Sequence, residues 1–243
     1  DDEIARDERR TAILESLGGG VAFVDYDRDG IEDLYFAGGG GLGPQGQIPG
    51  RRGLLLRVAG DGALRDVTTS AQAAAGTRYT HGIARGDYDG DGWPDLLITG
   101  YGGVQLLHNL GDGTFEEVAV AAGLDDQLWS SSAGWGDLDG DGALDLFVVH
   151  YVDWSFQNHP RCRGPTPESR DICPPREFNG LPDSLYLSDG QGRFEDHAQA
   201  WGVRSDGKGL GVLLVDLDQD QRPEIYVAND TVDNHLYAAR DGR

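Results

Sequence analysis

Four times this chain writes a ladder of carboxylates at alternate positions and follows it with an apolar run. The copies are Asp25-Tyr26-Asp27-Arg28-Asp29-Gly30-Ile31-Glu32-Asp33, Asp87-Tyr88-Asp89-Gly90-Asp91-Gly92-Trp93-Pro94-Asp95, Asp137-Leu138-Asp139-Gly140-Asp141-Gly142-Ala143-Leu144-Asp145 and Asp216-Leu217-Asp218-Gln219-Asp220-Gln221-Arg222-Pro223-Glu224. Acids at positions 1, 3 and 5 reach a common point only if the backbone curls tightly. Glycine at position 6 permits the curl because it tolerates positive φ. Position 7 can then turn a carbonyl inward, and the acid at position 9 closes the shell.

The expected ligands are therefore Asp25, Asp27, Asp29, the Ile31 carbonyl and Asp33 in the first loop, and Asp87, Asp89, Asp91, Trp93 and Asp95 in the second. Asp137, Asp139, Asp141, Ala143 and Asp145 follow in the third, and Asp216, Asp218, Asp220, Arg222 and Glu224 in the fourth. An anionic all-oxygen set suits Ca2+ better than zinc or copper, and carries more carboxylates than Mg2+ usually takes. An EF-hand would need a glutamate at position 12 and flanking helices. Position 12 here is Phe36, Ile98, Val148 and Val227, which read as strand residues. The fourth copy departs from the pattern, with Gln221 in place of glycine and Glu224 in place of aspartate. The reading is thus three calcium sites and a degenerate fourth.

The repetition implies an architecture. The loops begin at residues 25, 87, 137 and 216. Spacings of this kind, near 50 residues with variable insertions, fit a propeller or repeat array. A short strand precedes each loop and an apolar strand follows it. A third strand comes next (Leu54-Leu-Leu, Val104-Gln-Leu-Leu, Ser184-Leu-Tyr-Leu, His235-Leu-Tyr), and then a Gly/Asp turn. A fourth strand begins at Ala63, Thr114 and Arg193. Four short antiparallel strands per unit make a propeller blade. The expected division is an N-terminal segment 1–17 and all-β propeller repeats over 18–243. The blades are 18–70, 79–122, 130–200 with an insertion at 152–182, and 206–243, the last lacking its outer strand. For four blades to close, residues 1–17 would have to supply that strand. Thr11-Ala-Ile-Leu could do so, although residues 3–17 read equally well as a short helix.

These residues carry a resemblance. Gly20-Val-Ala-Phe-Val-Asp-Tyr-Asp27, Leu107-His-Asn-Leu-Gly-Asp-Gly-Thr-Phe115 and Tyr226-Val-Ala-Asn-Asp-Thr231 resemble the FG-GAP, or VCBS, calcium-binding propeller repeats, of the type in integrin α-subunit heads. More narrowly, they are similar to the cartilage acidic protein group, which often carries an ASPIC/UnbV region. The resemblance implies a seven-bladed propeller, of which this chain would hold four repeats.

The formal net charge is −22, and ladder positions 1, 3, 5 and 9 hold 16 of the 42 acids. Four bound dications would leave about −14, so metal sites account for much of the acidity. Nucleic acid is not an expected partner, since phosphate contacts need clustered Lys and Arg. No apolar run is long enough to span a membrane. Cys162 and Cys173, flanked by prolines, read as a disulfide. The alternative is a zinc site that also uses His159 and His197. A disulfide and a demand for calcium fit a secreted, cell-surface or periplasmic setting.

Successive turns of an antiparallel meander lie at opposite ends. The insertions at 38–53 and 152–182 should therefore share the face opposite the calcium loops, together with Tyr79, His81, Trp129, Tyr151, Trp154, Trp201 and Asp230. Long loops on a rigid scaffold commonly carry binding. This places recognition of a protein or glycan there, with inter-blade packing as the competing role for the aromatics. No Gly-x-Ser-x-Gly elbow or phosphate loop occurs, and no specific catalytic constellation is legible. Asp153, Asp183 or Asp230 beside His81 or His150 is the pairing a polysaccharide hydrolase or lyase would need. Assembly through exposed blade edges is the third reading.

Overall fold

The computed structural model describes residues 12–239 apart from 44, 45, 77, 167 and 168. The described chain is all-β, in four antiparallel sheets whose strands follow one another in sequence order. The first sheet holds β1 (Val21–Val24), β2 (Asp33–Phe36), β3 (Leu54–Val58) and β4 (Leu64–Asp66). The second holds β5 (Tyr79–Gly86), β6 (Asp95–Tyr101), β7 (Gly103–Asn109) and β8 (Phe115–Glu117). The third holds β9 (Ser130–Gly136), β10 (Asp145–His150), β11 (Ser184–Ser188) and β12 (Phe194–Asp196). The fourth holds β13 (Gly209–Val215), β14 (Glu224–Asn229) and β15 (His235–Tyr237). Each carboxylate ladder is the turn between the first two strands of its sheet.

The first strands of the last three sheets begin earlier than the turn pattern suggests. Each carries a register shift against its partner, at Thr80–Ile83, at Val149–His150 opposite β9, and at Gly209–Gly211. A bulge breaks the period-2 pattern on which a sequence reading depends.

The second strand of each inner sheet is an unbroken apolar run because both its faces are covered. Leu96 and Ile98 pack toward the first sheet, with Tyr35, Leu55, Ala71 and Ala73. Leu97 packs the other way, with Leu146 and Val148 of the third sheet. Phe147 in turn meets Ile225 and Val227 of the fourth. Three apolar seams thus join the four sheets. The outer strand adds an aromatic ring to the first two seams. Phe115 donates its backbone N–H to the Ala71 carbonyl (2.9 Å), and Phe194 donates to Ala122 (2.8 Å). Leu138, Trp201, Val203, Ile225 and Tyr237 line a cavity of about 410 Å³ at the third seam.

A further cluster lies apart from the seams. Tyr79, Trp129, Tyr151, Val152, Trp154, Cys173 and Phe178 pack there against Ala12, Ile13 and Leu14. Residues 13–16 form a 3-10 turn. Ala12, Ile13 and Leu14 are therefore committed to this cluster and do not extend the fourth sheet. The remainder of the expected N-terminal strand or helix, residues 1–11, and the terminal turn at 241–243 lie outside the described residues.

Candidate metal centre and the opposite face

The four loops share one hydrogen-bonded frame. The first aspartate accepts the backbone N–H of position 6 at 3.0, 2.9, 3.0 and 3.0 Å in chain order. The fifth-position aspartate accepts the N–H of position 7 at 2.9, 2.8, 2.8 and 2.9 Å. Positions 4 and 6 both have positive φ, at Arg28 and Gly30, Gly90 and Gly92, Gly140 and Gly142, and Gln219 and Gln221. Left-handed backbone costs a residue with a Cβ about 1–2 kcal/mol. The fourth loop carries that strain twice and still adopts the same frame.

The frame gathers ligand atoms. One oxygen each from Asp87, Asp89 and Asp95 lie within 4.8 Å of one another, as do those of Asp137, Asp139 and Asp145, and of Asp216, Asp218 and Glu224. In the first loop the gathered set is Asp25, Asp27 and Asp29. Asp27 Oδ1, Asp33 Oδ2 and Asp87 Oδ1 are buried without a hydrogen-bond partner. Orphaned buried carboxylate oxygens are what a hard cation would satisfy, so the residues present fit Ca2+.

Position 9 plays a double part, since it is buried in every copy. Asp33 accepts the N–H of Val58 (2.7 Å), Asp95 that of Asn109 (2.8 Å) and Asp145 that of Ser188 (2.8 Å). The carboxylate therefore ties the loop to the third strand of its sheet. Asp145 also accepts Leu138 N–H (2.8 Å), and Glu224 accepts Leu217 N–H (2.6 Å). Burial raises Asp33 and Asp95, and it pushes Asp145 up to about 6.

The residue across from position 9 on the third strand differs between sheets, and sequence reading missed it. In the first sheet it is Arg57, whose guanidinium pairs with Asp27 (2.5 Å) and Asp29 (2.7 Å). In the second it is His108, with Nδ1 3.2 Å from Asp95 and 3.6 Å from Asp89. In the third it is Leu187, which offers no charge. Only the strand register identifies these as equivalent positions, because the spacing from position 9 varies with the length of each insertion.

On the opposite face, five of the seven nominated residues are core. Tyr79, His81, Trp129, Tyr151 and Trp154 are each less than 9% exposed. Trp129 packs edge-on against Tyr151, Tyr101 and Trp154. Its Nε1–H donates to His81 Nε2 (2.9 Å). Tyr151 donates to Asp230 (2.8 Å). Trp201 lies elsewhere, in the seam between the third and fourth sheets. The aromatic side chains on this face are therefore packing groups that support the overlying insertion.

Cys162 and Cys173 form a disulfide. The zinc alternative is thereby overturned, since neither sulfur is free to ligate. His159 instead accepts the indole N–H of Trp154 (2.9 Å). A crosslink over so short a loop is worth about 3 kcal/mol in the chain-entropy model. Reduction under native conditions should lower the melting temperature of the insertion while leaving the far-UV spectrum of the sheets unchanged. Equal melting of oxidised and reduced protein would refute this.

The nominated acid–histidine pairings are arranged differently from the expectation. Asp183 meets His150 through the backbone, accepting its N–H (2.8 Å). The His150 ring faces Asp126 (3.1 Å) and the Pro182 carbonyl (2.6 Å), and is fully buried. Burial pushes Asp126 upward, but the hydrogen bond and charge of His150 outweigh it and hold this carboxyl below its ordinary value. Asp153 accepts from Asn179 (2.8 Å), and Asp230 from Tyr151.

Burial pushes His81 down to about 4. The unfolded chain therefore binds a proton below pH ~6.5 that the folded chain refuses until about 4, so stability falls as pH drops through that window. His81→Phe should flatten this part of the stability profile, measured by denaturant titration at stepped pH. An unchanged profile would show that His81 is not its source.

Compared with known proteins, the chain matches the model of the FG-GAP-like repeat over residues 25–98 and 87–148. The chain belongs to the FG-GAP-like repeat family. Both matched segments run from a carboxylate ladder through the next, so the FG-GAP repeat spans the seams described above. Human cartilage acidic protein 1 is 29% identical over 222 residues, covering 87% of this chain and 29% of that relative. The chain thus spans less than a third of the relative's length. A solved lectin of Agrocybe aegerita, which recognises non-reducing terminal N-acetylglucosamine, aligns with 88% of this chain and 49% of its own. Its TM-score is 0.42 and its sequence identity 20%.

Proposed function

We propose that this chain is a calcium-stabilised, extracellular binding module whose four sheets are consecutive blades of a β-propeller. It recognises a protein or glycan through the insertion at 152–182. The first strands of successive sheets pack on one another, β1 on β5, β5 on β9 and β9 on β13, as they would around a propeller axis. The family relation, the disulfide and the carboxylate clusters support the extracellular, calcium-dependent reading. Among the described residues no helix is long and apolar enough to cross a membrane.

One observation carries the recognition claim. The described part of the insertion is laid on a packed aromatic base. Its disulfide joins Cys162 to Cys173, and two residues further on Lys208 Nζ donates to the Pro175 carbonyl (2.8 Å). Arg161, Arg163, Ile172 and Arg176 remain exposed on it. These arginines stand beside the exposed Asp171 and Glu177, with Arg176 Nε 3.5 Å from Glu177, so the loop offers a partner charged groups of both signs.

The test is binding to protein and glycan arrays with and without calcium, using the chain and an Arg161→Ala/Arg176→Ala variant. Saturable binding without turnover, lost in the variant at unchanged melting temperature, is expected. Binding that ignores these substitutions would place recognition elsewhere.

A further inference from the structure

Across from position 9, the third strands of the four sheets carry Arg57, His108, Leu187 and Ala238. Each is one place past a registered pair, Leu34–Leu56, Leu96–Leu107, Leu146–Tyr186 and Ile225–Tyr237. Of these four, Arg57 alone carries a charge at every working pH. Its guanidinium spans two rungs of the first ladder. Nε lies 2.5 Å from Asp27 Oδ2 and Nη2 lies 2.7 Å from Asp29 Oδ2.

Arg57 thereby takes an oxygen that the other loops leave open. Asp29 Oδ1 accepts the N–H of Ile31, as position 5 does in every loop, and the guanidinium engages the oxygen that remains. Among the described residues, the matching oxygens of Asp91, Asp141 and Asp220 have no such partner. The first loop also gathers its acids differently. Positions 1, 3 and 5 converge there, whereas positions 1, 3 and 9 converge in each of the other three. Asp33 stays outside the first trio, fully buried and with Oδ2 unpartnered.

We infer that Arg57 is a tethered counter-cation of the first loop. It holds that ladder curled without metal and competes with calcium for the same carboxylates, so the first loop binds calcium more weakly than the second and third and fills last. The reason is charge. Ligand charge and rigidity tune the affinity of calcium loops. The guanidinium offsets one of the four ladder charges and repels an arriving dication. The pair is half-buried, so salt screens it less than a fully exposed one. The loop with the regular spacing is therefore the exception, while the fourth gathers its acids as the second and third do.

The inference rests on the calcium reading of the loops, and the other loops report on that reading in the same experiment. Calcium titration calorimetry of the chain, with melting curves in calcium and in chelator, reads the effect. Arg57→Met keeps the aliphatic stem and removes the charge. It should tighten one site by about tenfold or more and leave the others unchanged. Its melting temperature should fall further in chelator than in calcium. Asp29→Ala on that background should remove the tightened site and no other, which assigns it to the first loop. Arg57→Lys keeps the charge and loses the two-point grip, so its affinity should fall between. An affinity that is unchanged in Arg57→Met, while other sites bind calcium, would overturn the inference alone. A weakened site would overturn it by making Arg57 a support for the ligands. A chain that binds no calcium at any loop would sink the calcium reading, and the inference with it.

Discussion

Trp154→Ala should cost about 3–5 kcal/mol of stability, the range for deleting a large aromatic side chain from a well-packed interior. In a chain of this size that is a fall of roughly 10 °C or more in melting temperature. Trp154 is 2% exposed and packs against the rings of Tyr101, Trp129 and Phe156. Its indole N–H also donates to His159, so the substitution leaves a cavity and removes that hydrogen bond beneath the insertion. Differential scanning calorimetry measures the loss. A change below about 1 kcal/mol would mean that the cluster collapses freely and does not support the insertion. The variant also separates packing from recognition, because ligand affinity measured well below its melting temperature should fall less than in the Arg161/Arg176 variant.

Chelation should destabilise the chain by about 3–4 kcal/mol in all, from roughly 1 kcal/mol per loop at millimolar calcium and extracellular-type affinity. Two substitutions divide that sum between metal and frame. Asp141 is exposed and its Oδ1 accepts only a local N–H. Asp141→Ala should therefore lose one loop's share in calcium and almost nothing in chelator. Asp145→Ala should lose about 2–3 kcal/mol in chelator, because Ser188 and Leu138 N–H lose a buried acceptor, and the loop's metal share in addition in calcium.

The pH dependence follows from the sign of the shift. Burial raises Asp145 in the folded chain to about 6 from an ordinary 3.8. Metal-free stability from this group is full below the unfolded value and is lost as pH rises through about 6. The cost of chelation should therefore be larger at pH 8 than at pH 5. A melting curve indifferent to chelator, with no calcium found by elemental analysis, would refute the metal assignment.

Much of this was legible in one dimension. The alternating acids give a loop that must curl, and the glycines show where it curls. The apolar runs beyond position 9 give strands, and their repetition gives four equivalent sheets. The paired cysteines were legible too, although a zinc site competed until the sulfurs were seen to be joined. These features are local, because each depends on residues a few positions apart and on backbone preferences that act at that range.

Other features depended on contacts between distant residues. Arg57 and His108 occupy one structural position at different distances along the chain from their ladders, so only register reveals that one loop meets a guanidinium and the next an imidazole. Trp129 and Trp154 read as candidate binding residues until the packing of Ala12, Ile13, Leu14 and the insertion around them made them core. Trp201 left that group altogether and joined a seam. The sequence by itself determined the carboxylate clusters and the repeating strand unit, because both are set by local spacing. The tertiary structure decided which apolar faces are covered and which aromatics water can reach, because burial belongs to the neighbour that a face meets and not to the residues that compose it.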